Sequence, residues 1–229
     1  YKETDLWIGI DQASFQESMP AFTKSRIRTL REDMDAYLQN DPDYTTSLVP
    51  YETKPGAPTI FQEMSEVARK SGIGPMSGVA GAVARRIGQE IKEKYGVREI
   101  IVENGGDIYA NIQKDIDIAV FAGTSPLSEK VGFTIRADHA PLGICTSSGT
   151  VGPSLSFGKA DAVMIICKDS ALADTYATAF ANEIKTTDDI APCIEKIGKT
   201  KDILAAICIK DDKIGIHGIF DFKLFHSKL

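Results

Sequence analysis

The four cysteines of this 229-residue chain, Cys145, Cys167, Cys193 and Cys208, form no CxxC pair. Only three histidines accompany them, His139, His217 and His226, at scattered positions. Structural zinc needs thiolate and imidazole ligands at short, paired spacings, so neither a zinc centre nor a Ser-His-Asp site is expected. Cys145, Cys167 and Cys208 fall in apolar, strand-like runs, where a thiol acts as a small core residue in a reducing compartment. A basic excess is also missing. With 26 Lys and Arg against 32 Asp and Glu, a net charge of -6 and a pI near 5.2, the chain has no electrostatic footprint for nucleic acid. No apolar run approaches the ~18 residues that suggest a membrane span. Short repeats and low-complexity tracts are absent too. A cytoplasmic location is the resulting expectation; because the first residue is Tyr1 rather than Met, an exported form stays open.

What remains is the composition of an ordinary soluble globular protein, long enough to bury a sizeable core as one domain over 1–229 or as two intertwined lobes. "TDLWIGID" alternates as a strand does. A helix after Pro20 places Ile27, Leu30, Met34 and Leu38 at helical spacing, and 40–58 reads as a long irregular connection. A second helix carries Ile60, Met64 and Val67. A third opens at Pro75, steps through Val79, Val83, Ile87 and Ile91, and stops at Gly96. Its first half holds Gly78, Ala80, Gly81, Ala82 and Ala84. Each interior glycine costs about 1 kcal/mol against alanine, so either a packed element or a ligand must approach that backbone closely. Strands are expected at 98–103, 117–122, 132–136, 143–146 and 162–167. A helix from Ala171 and another near 190–197 follow, then strands at 203–209, 214–217 and 220–225, with "KDDK" as a hairpin tip. Strands in runs rather than strict alternation with helices favour α+β over a doubly wound parallel sheet.

Three segments stand out chemically. In "IIVENGGDIY" a strand runs into Asn104, Gly105, Gly106 and Asp107; adjacent glycines permit positive φ and expose N–H groups, although Asn-Gly also marks plain turns. From Thr146 to Lys159 the chain has six hydroxyl side chains, three glycines and one lysine. Short neutral donors of this kind cradle phosphate oxygens; a Ser/Gly-rich loop without a ligand is the alternative. In "ALADTYATAFAN" the one charge is Asp174. Thr178 lies four residues on, with Cβ atoms about 5–6 Å apart on one helix face, and Asn182 continues that face. A surface helix would carry charges on its outer side, so this helix reads as buried. A buried carboxylate needs a partner, either a distant Arg or Lys or a hard metal ion such as magnesium, which takes oxygen ligands.

Taken together, "ENGGDIY", "TSSGTVG", "SFGKADAV" and "ALADTYATAFAN", in this order, resemble the ApbE-like superfamily. More narrowly they are similar to a small uncharacterised family within it that shares the "GPMSGVAGAVA" helix, over nearly the whole chain. The resemblance implies an α+β, T-fold-related architecture of antiparallel sheets flanked by helices, with the ligand in a central cleft. Better-known members cleave FAD and move FMN onto a Thr or Ser of an acceptor protein, using magnesium held by an Asp and a Thr four residues apart. Those two positions match Asp174 and Thr178. The family's Gly-Gly-Asp matches Gly105, Gly106 and Asp107, and its Thr-Ser-Gly matches Ser147, Ser148 and Gly149.

Two departures matter. The transferases' Gly-Gly-Ile-Ala-Lys-Gly segment corresponds here to "MSGVAGAVA", which lacks the lysine, and Pro153 stands near the place of a histidine. The reading that follows is a magnesium-dependent enzyme acting on FAD, FMN or another phosphorylated ligand. Asp174 and Thr178 hold the metal, and Asp107 is the first candidate for the catalytic group. Asn104, Gly105, Gly106, Thr146, Ser147, Ser148, Gly149, Thr150 and Lys159 contact the ligand. The alternatives are a flavin or nucleotide carrier without catalysis, or a different reaction on another phosphorylated metabolite. Transfer would require a separate acceptor protein.

Overall fold

A computed structural model describes residues 4–151 and 156–225; the features read at Tyr1, Pro153 and His226 lie outside the described residues. The N-terminal strand β1 (Trp7–Ile10) leads to the long helix α1 (Met19–Asn40). The connection at 40–58 holds one element that its prolines obscured, the short helix α2 (Pro42–Thr46). Pro42 occupies its first position, where a missing N–H costs nothing, and the Tyr44 side chain is fully buried, donating to the Phe61 carbonyl at 2.9 Å. Next come α3 (Thr59–Ser71), a 3-10 turn over Pro75–Gly78, and α4 (Val79–Tyr95). Gly72 and Gly96 end α3 and α4 with φ of 78° and 65°, the left-handed stop that glycine accepts without a Cβ penalty.

The strands that follow are β2 (Ile100–Asn104), β3 (Asp107–Asn111), β4 (Ile116–Ala119), β5 (Val131–Ile135), β6 (Leu142–Ser147) and β7 (Ala162–Cys167). Strand β3 is an addition to the elements expected: "ENGGD" is the tip of a β2–β3 hairpin, with Asn104 opposite Asp107. Helices α5 (Ser170–Glu183) and α6 (Ile190–Gly198) precede the closing strands β8 (Ile203–Lys210), β9 (Lys213–Gly218) and β10 (Asp221–Leu224). The β8–β9 tip falls on "KDDK", where Asp211 takes a φ of 55°.

Every pairing between these strands is antiparallel. They form a seven-stranded sheet ordered β1-β2-β3-β6-β7-β8-β9 and a three-stranded sheet ordered β10-β5-β4. The architecture is α+β, but the helices flank only one face of the large sheet; the small sheet covers the other. Strand β7 shows why. Val163, Ile165 and Cys167 join the core under the helices, while Ala162, Met164 and Ile166 join the core under the small sheet. A strand buried on both faces needs apolar residues at every position rather than at alternate ones. All four cysteines are buried and free. Among the described residues no helix is long and apolar enough to cross a membrane.

Candidate functional site

The small residues of α4 are explained by a helix crossing. Helix α5 is buried along most of its length and passes so close to α4 that a Cβ at Gly81 would meet the Ser170 carbonyl oxygen at 2.2 Å and the Asp174 Cβ at 3.0 Å. A Cβ at Gly78 would meet the Ala171 carbonyl oxygen and Thr175 Oγ1, each at 2.9 Å. Further along α4, Gly88 leaves room for the Tyr109 ring. Packing is what approaches the backbone at Gly78, Gly81 and Gly88, while Ser77, Val79 and Ala80 border the cavity described below.

The crossing brings Asp174 to the start of α4. Its carboxylate accepts the Gly81 backbone N–H at 2.9 Å, one of the donors that a helix N-terminus leaves without an intrahelical partner. Among the described residues no Arg or Lys pairs with it; the nearby Arg85 is taken by Glu63 and Asp169. Burial pushes the Asp174 carboxyl up to about 7, against the pull of the Gly81 and Ala80 N–H groups.

Asp107 opens β3 directly after the hairpin glycines. Gly105 and Gly106 have φ of 65° and 101°, and the Gly106 N–H donates to Glu103 Oε1 at 2.6 Å. This tight turn delivers Asp107 to the helix-side face, opposite Cys145 in register. Its Oδ1 is buried with no hydrogen-bond partner. Burial first, and the charge of Asp174 second, hold the Asp107 carboxyl well above its usual range. Two buried carboxyls, one of them raised by the other's charge, cannot both ionise cheaply without a cation.

Both acids line a cavity of about 620 Å³ together with Thr178, Asn182, Ser77, Gly105, Gly106, Thr146, Ser147 and Ser148. Asp174, Thr178 and Asn182 thus share one face of α5, as their spacing requires. Thr178 Oγ1 donates to Ser147 Oγ at 3.5 Å. The hydroxyl loop is less open than its composition suggests. Ser148 Oγ accepts the N–H groups of Thr150 and Val151 at 3.0 and 2.9 Å, so it closes the turn on donors that a phosphate would otherwise meet.

Asn104, Gly149, Thr150 and Lys159 are not among the residues that line the cavity. Asn104 ties the hairpin to the Ala80 carbonyl at 3.2 Å. Gly149 N–H donates to the Ala160 carbonyl at 2.8 Å, Thr150 Oγ1 donates to Asp161 Oδ1 at 3.2 Å, and Lys159 is exposed.

Sequence reasoning missed the role of Ser77, and it placed Asn182 on the α5 face without its loop partner. Ser77 Oγ donates to the Gly74 carbonyl at 2.6 Å and lies 2.8 Å from Thr175 Oγ1, which locks the 3-10 turn onto α5. Asn182 Oδ1 accepts the Phe157 N–H at 2.8 Å and holds that exposed aromatic residue at the mouth. The unusual closeness of Pro75 and Gly78 to a helix start was the available signal for Ser77; the partner of Asn182 had none, because it is a backbone group.

The donor set is hard oxygen throughout, which suits magnesium rather than a soft metal. The orphaned Asp107 Oδ1 is a lone pair that a cation would engage. Among the described residues no group of three or more His, Cys, Asp or Glu is gathered. Two carboxylates and a threonine hydroxyl would leave positions to water and ligand oxygens, as magnesium prefers. The residues fit the metal.

A family model described as AbpE bacteria matches residues 1–197. The UPF0280 protein of Methanocaldococcus jannaschii is 35% identical over 223 residues, spanning 95% of this chain and 88% of that protein. The UPF0280 protein of Methanosphaerula palustris is 39% identical over 185 residues, 81% and 76% of the two chains. Among solved structures, the flavin transferase ApbE from Vibrio cholerae superposes with a TM-score of 0.57 at 12% identity, covering 93% of this chain and 97% of that one. The apo flavinyl transferase ApbE of Pseudomonas stutzeri gives 0.56 at 12% identity, with 93% of each chain covered. At such identities the likeness is one of fold.

Proposed function

The chain belongs to the AbpE bacteria family, together with the UPF0280 proteins it matches, and from that premise we propose that it is a magnesium-dependent enzyme acting on a phosphorylated ligand. The observation that carries this reading is a pair of buried carboxyls, Asp107 and Asp174, both raised above their usual range at the wall of one cavity, with Asp107 Oδ1 unpartnered. Asp174 and Thr178 hold the ion, and Asp107 stands beside it. Magnesium bound there supplies the positive charge that draws phosphate oxygens in and lowers the cost of their developing charge. Ser147 and Thr146 meet the phosphate from the β6 side. The two sheets and the helix layer all reach the site, so we read the chain as one domain.

FAD is the first ligand to test, because the solved relatives of the same fold are flavin transferases. In that reaction an acceptor hydroxyl oxygen bonds to the flavin-side phosphorus, the pyrophosphate P–O bond breaks, AMP leaves, and Asp107 takes the hydroxyl proton. The acceptor is a separate protein. Titration of the purified protein with FAD, with and without magnesium, followed by chromatography, tests the reading. Magnesium-dependent binding is the expected result, with release of AMP and FMN as water takes the place of the absent acceptor hydroxyl and adds across the broken P–O bond. Binding without cleavage would make the protein a carrier.

A further inference from the structure

The cavity is not polar throughout. It wraps around the ends of β3 and β6, from the helix side of the large sheet to the side covered by the small sheet. On that second side its walls are Ile108, Ile144 and Met164 from the large sheet and Ile118, Ala119 and Phe121 from the small one. None of these side chains donates or accepts a hydrogen bond. Phe121 is 56% exposed, an aromatic ring left facing the opening. Val151, in the hydroxyl loop, also lines the cavity and stands so close to Gly123, just beyond β4, that a Cβ there would meet its Cγ2 at 2.7 Å. No Lys, Arg or His lies among the described lining residues. About 620 Å³ is in the range of clefts that bury a drug-sized ligand, roughly 300–1,000 Å³, and far more than a hydrated metal and a phosphate fill.

We propose that this sheet-side half is a slot for hydrocarbon, so that the ligand of the site is a phosphate or diphosphate ester whose organic part is apolar and uncharged where it lodges. The inference rests on the phosphorylated-ligand reading for the polar end only. An alkyl or isoprenoid-like chain satisfies such walls completely. The hydrocarbon edge of a flavin ring presents the same chemistry, whereas a nucleoside base leaves its polar edge unpaired against Ile108, Ile118 and Phe121, a cost that selects against it. The bases and sugars of a plain nucleotide therefore gain nothing over inorganic pyrophosphate.

The test is a calorimetric series on the full chain with magnesium, using pyrophosphate, ADP, geranyl diphosphate and FAD, with metal-free geraniol as a separate probe. Geranyl diphosphate should bind on the order of 100-fold more tightly than pyrophosphate, the gain expected from burying a few CH₂ groups, while ADP should match pyrophosphate. Ala119→Asp, at an exposed position on the small sheet, should erode the geranyl gain far more than pyrophosphate affinity, and Phe121→Ala should do so by a smaller factor. A gain for FAD over ADP without one for geranyl diphosphate would identify the flavin ring as the hydrocarbon source. Binding of ADP more tightly than either, or no gain for both, would overturn the slot. Failure of pyrophosphate to bind with magnesium would sink the function proposed above but not this one, provided that geraniol binds and Ala119→Asp abolishes it; geraniol that fails as well would sink both.

Discussion

On the helix side of the large sheet, Asp107 ends the hairpin and Cys145 stands opposite it; one residue along the same strands, Ile108 and Ile144 face the small sheet. Successive side chains on a strand point to opposite faces, so a single step along β3 converts carboxylate into hydrocarbon. The cavity curls around the strand ends and takes in both faces. Its polar half is assembled from three distant segments, the α4 start, the β2–β3 hairpin and α5, and its charge is unbalanced. Its apolar half is the margin where the buried large-sheet core of Ile144 and Met164 meets Ile118, Ala119 and Phe121 of the small sheet. The contrast teaches that a bipartite pocket needs no special scaffold: a sheet with two different covers supplies one wherever the covers fall short of its end.

Asp174→Asn should break the contrast most severely. It removes the charged oxygen from the polar half and should abolish measurable magnesium binding, while geraniol binding in the apolar half persists; calorimetry reads both. The Asn variant should also remain folded, because a buried carboxyl held near 7 gains little from its charge.

Gly81→Val comes next. A Cβ there collides with the Ser170 carbonyl, and overpacking of this kind costs about 1–3 kcal/mol, or several degrees of Tm. It should also weaken magnesium binding, since Asp174 takes its hydrogen bond from Gly81. Gly88→Ala, which meets the Tyr109 ring at 2.5 Å, should lower Tm and leave magnesium affinity unchanged, separating fold from site.

Titration should sharpen the comparison further. Folding raises the Asp174 carboxyl from 3.8 to about 7, so the metal-free folded chain binds more protons than the unfolded one between those values. The associated stability is present below about pH 4 and is lost as pH climbs through 7. Tm of the metal-free protein minus Tm of Asp174→Asn should therefore fall across that window. Magnesium affinity should move the opposite way, rising with pH up to and just past 7 as the proton is released.

The smallest effects belong to the loop. Ser148→Ala deletes an acceptor for two backbone N–H groups and should cost about 1 kcal/mol of stability. Lys159→Ala, exposed and away from the cavity, should change neither magnesium nor pyrophosphate affinity in calorimetry.

The polar half was legible in the sequence because its residues break local rules. A lone Asp174 in an alanine-rich helix, paired glycines before Asp107 and glycines inside α4 each carry a cost that packing or chemistry must offset. The apolar half was not legible, because Ile108, Ile118, Ile144 and Met164 are what any doubly covered strand contains. Periodicity reports which face a residue takes, not whether that face is covered to its end. The same limit hid β3 behind its hairpin and the small sheet's role as a cover, since which strands join which sheet is decided by contacts far apart in sequence. Helix α2 escaped because proline-rich connections and a helix opened by Pro42 share a composition.

The central claim is that Asp174 and Thr178, beside Asp107, hold a cation whose charge draws phosphate into the polar half. Titration of magnesium into the wild-type protein and into Asp174→Asn at pH 8, each with and without pyrophosphate, tests it most directly. Wild-type protein should bind magnesium more tightly when pyrophosphate is present, and the Asn variant should bind neither. Equal magnesium and pyrophosphate affinities in the two proteins would contradict the account.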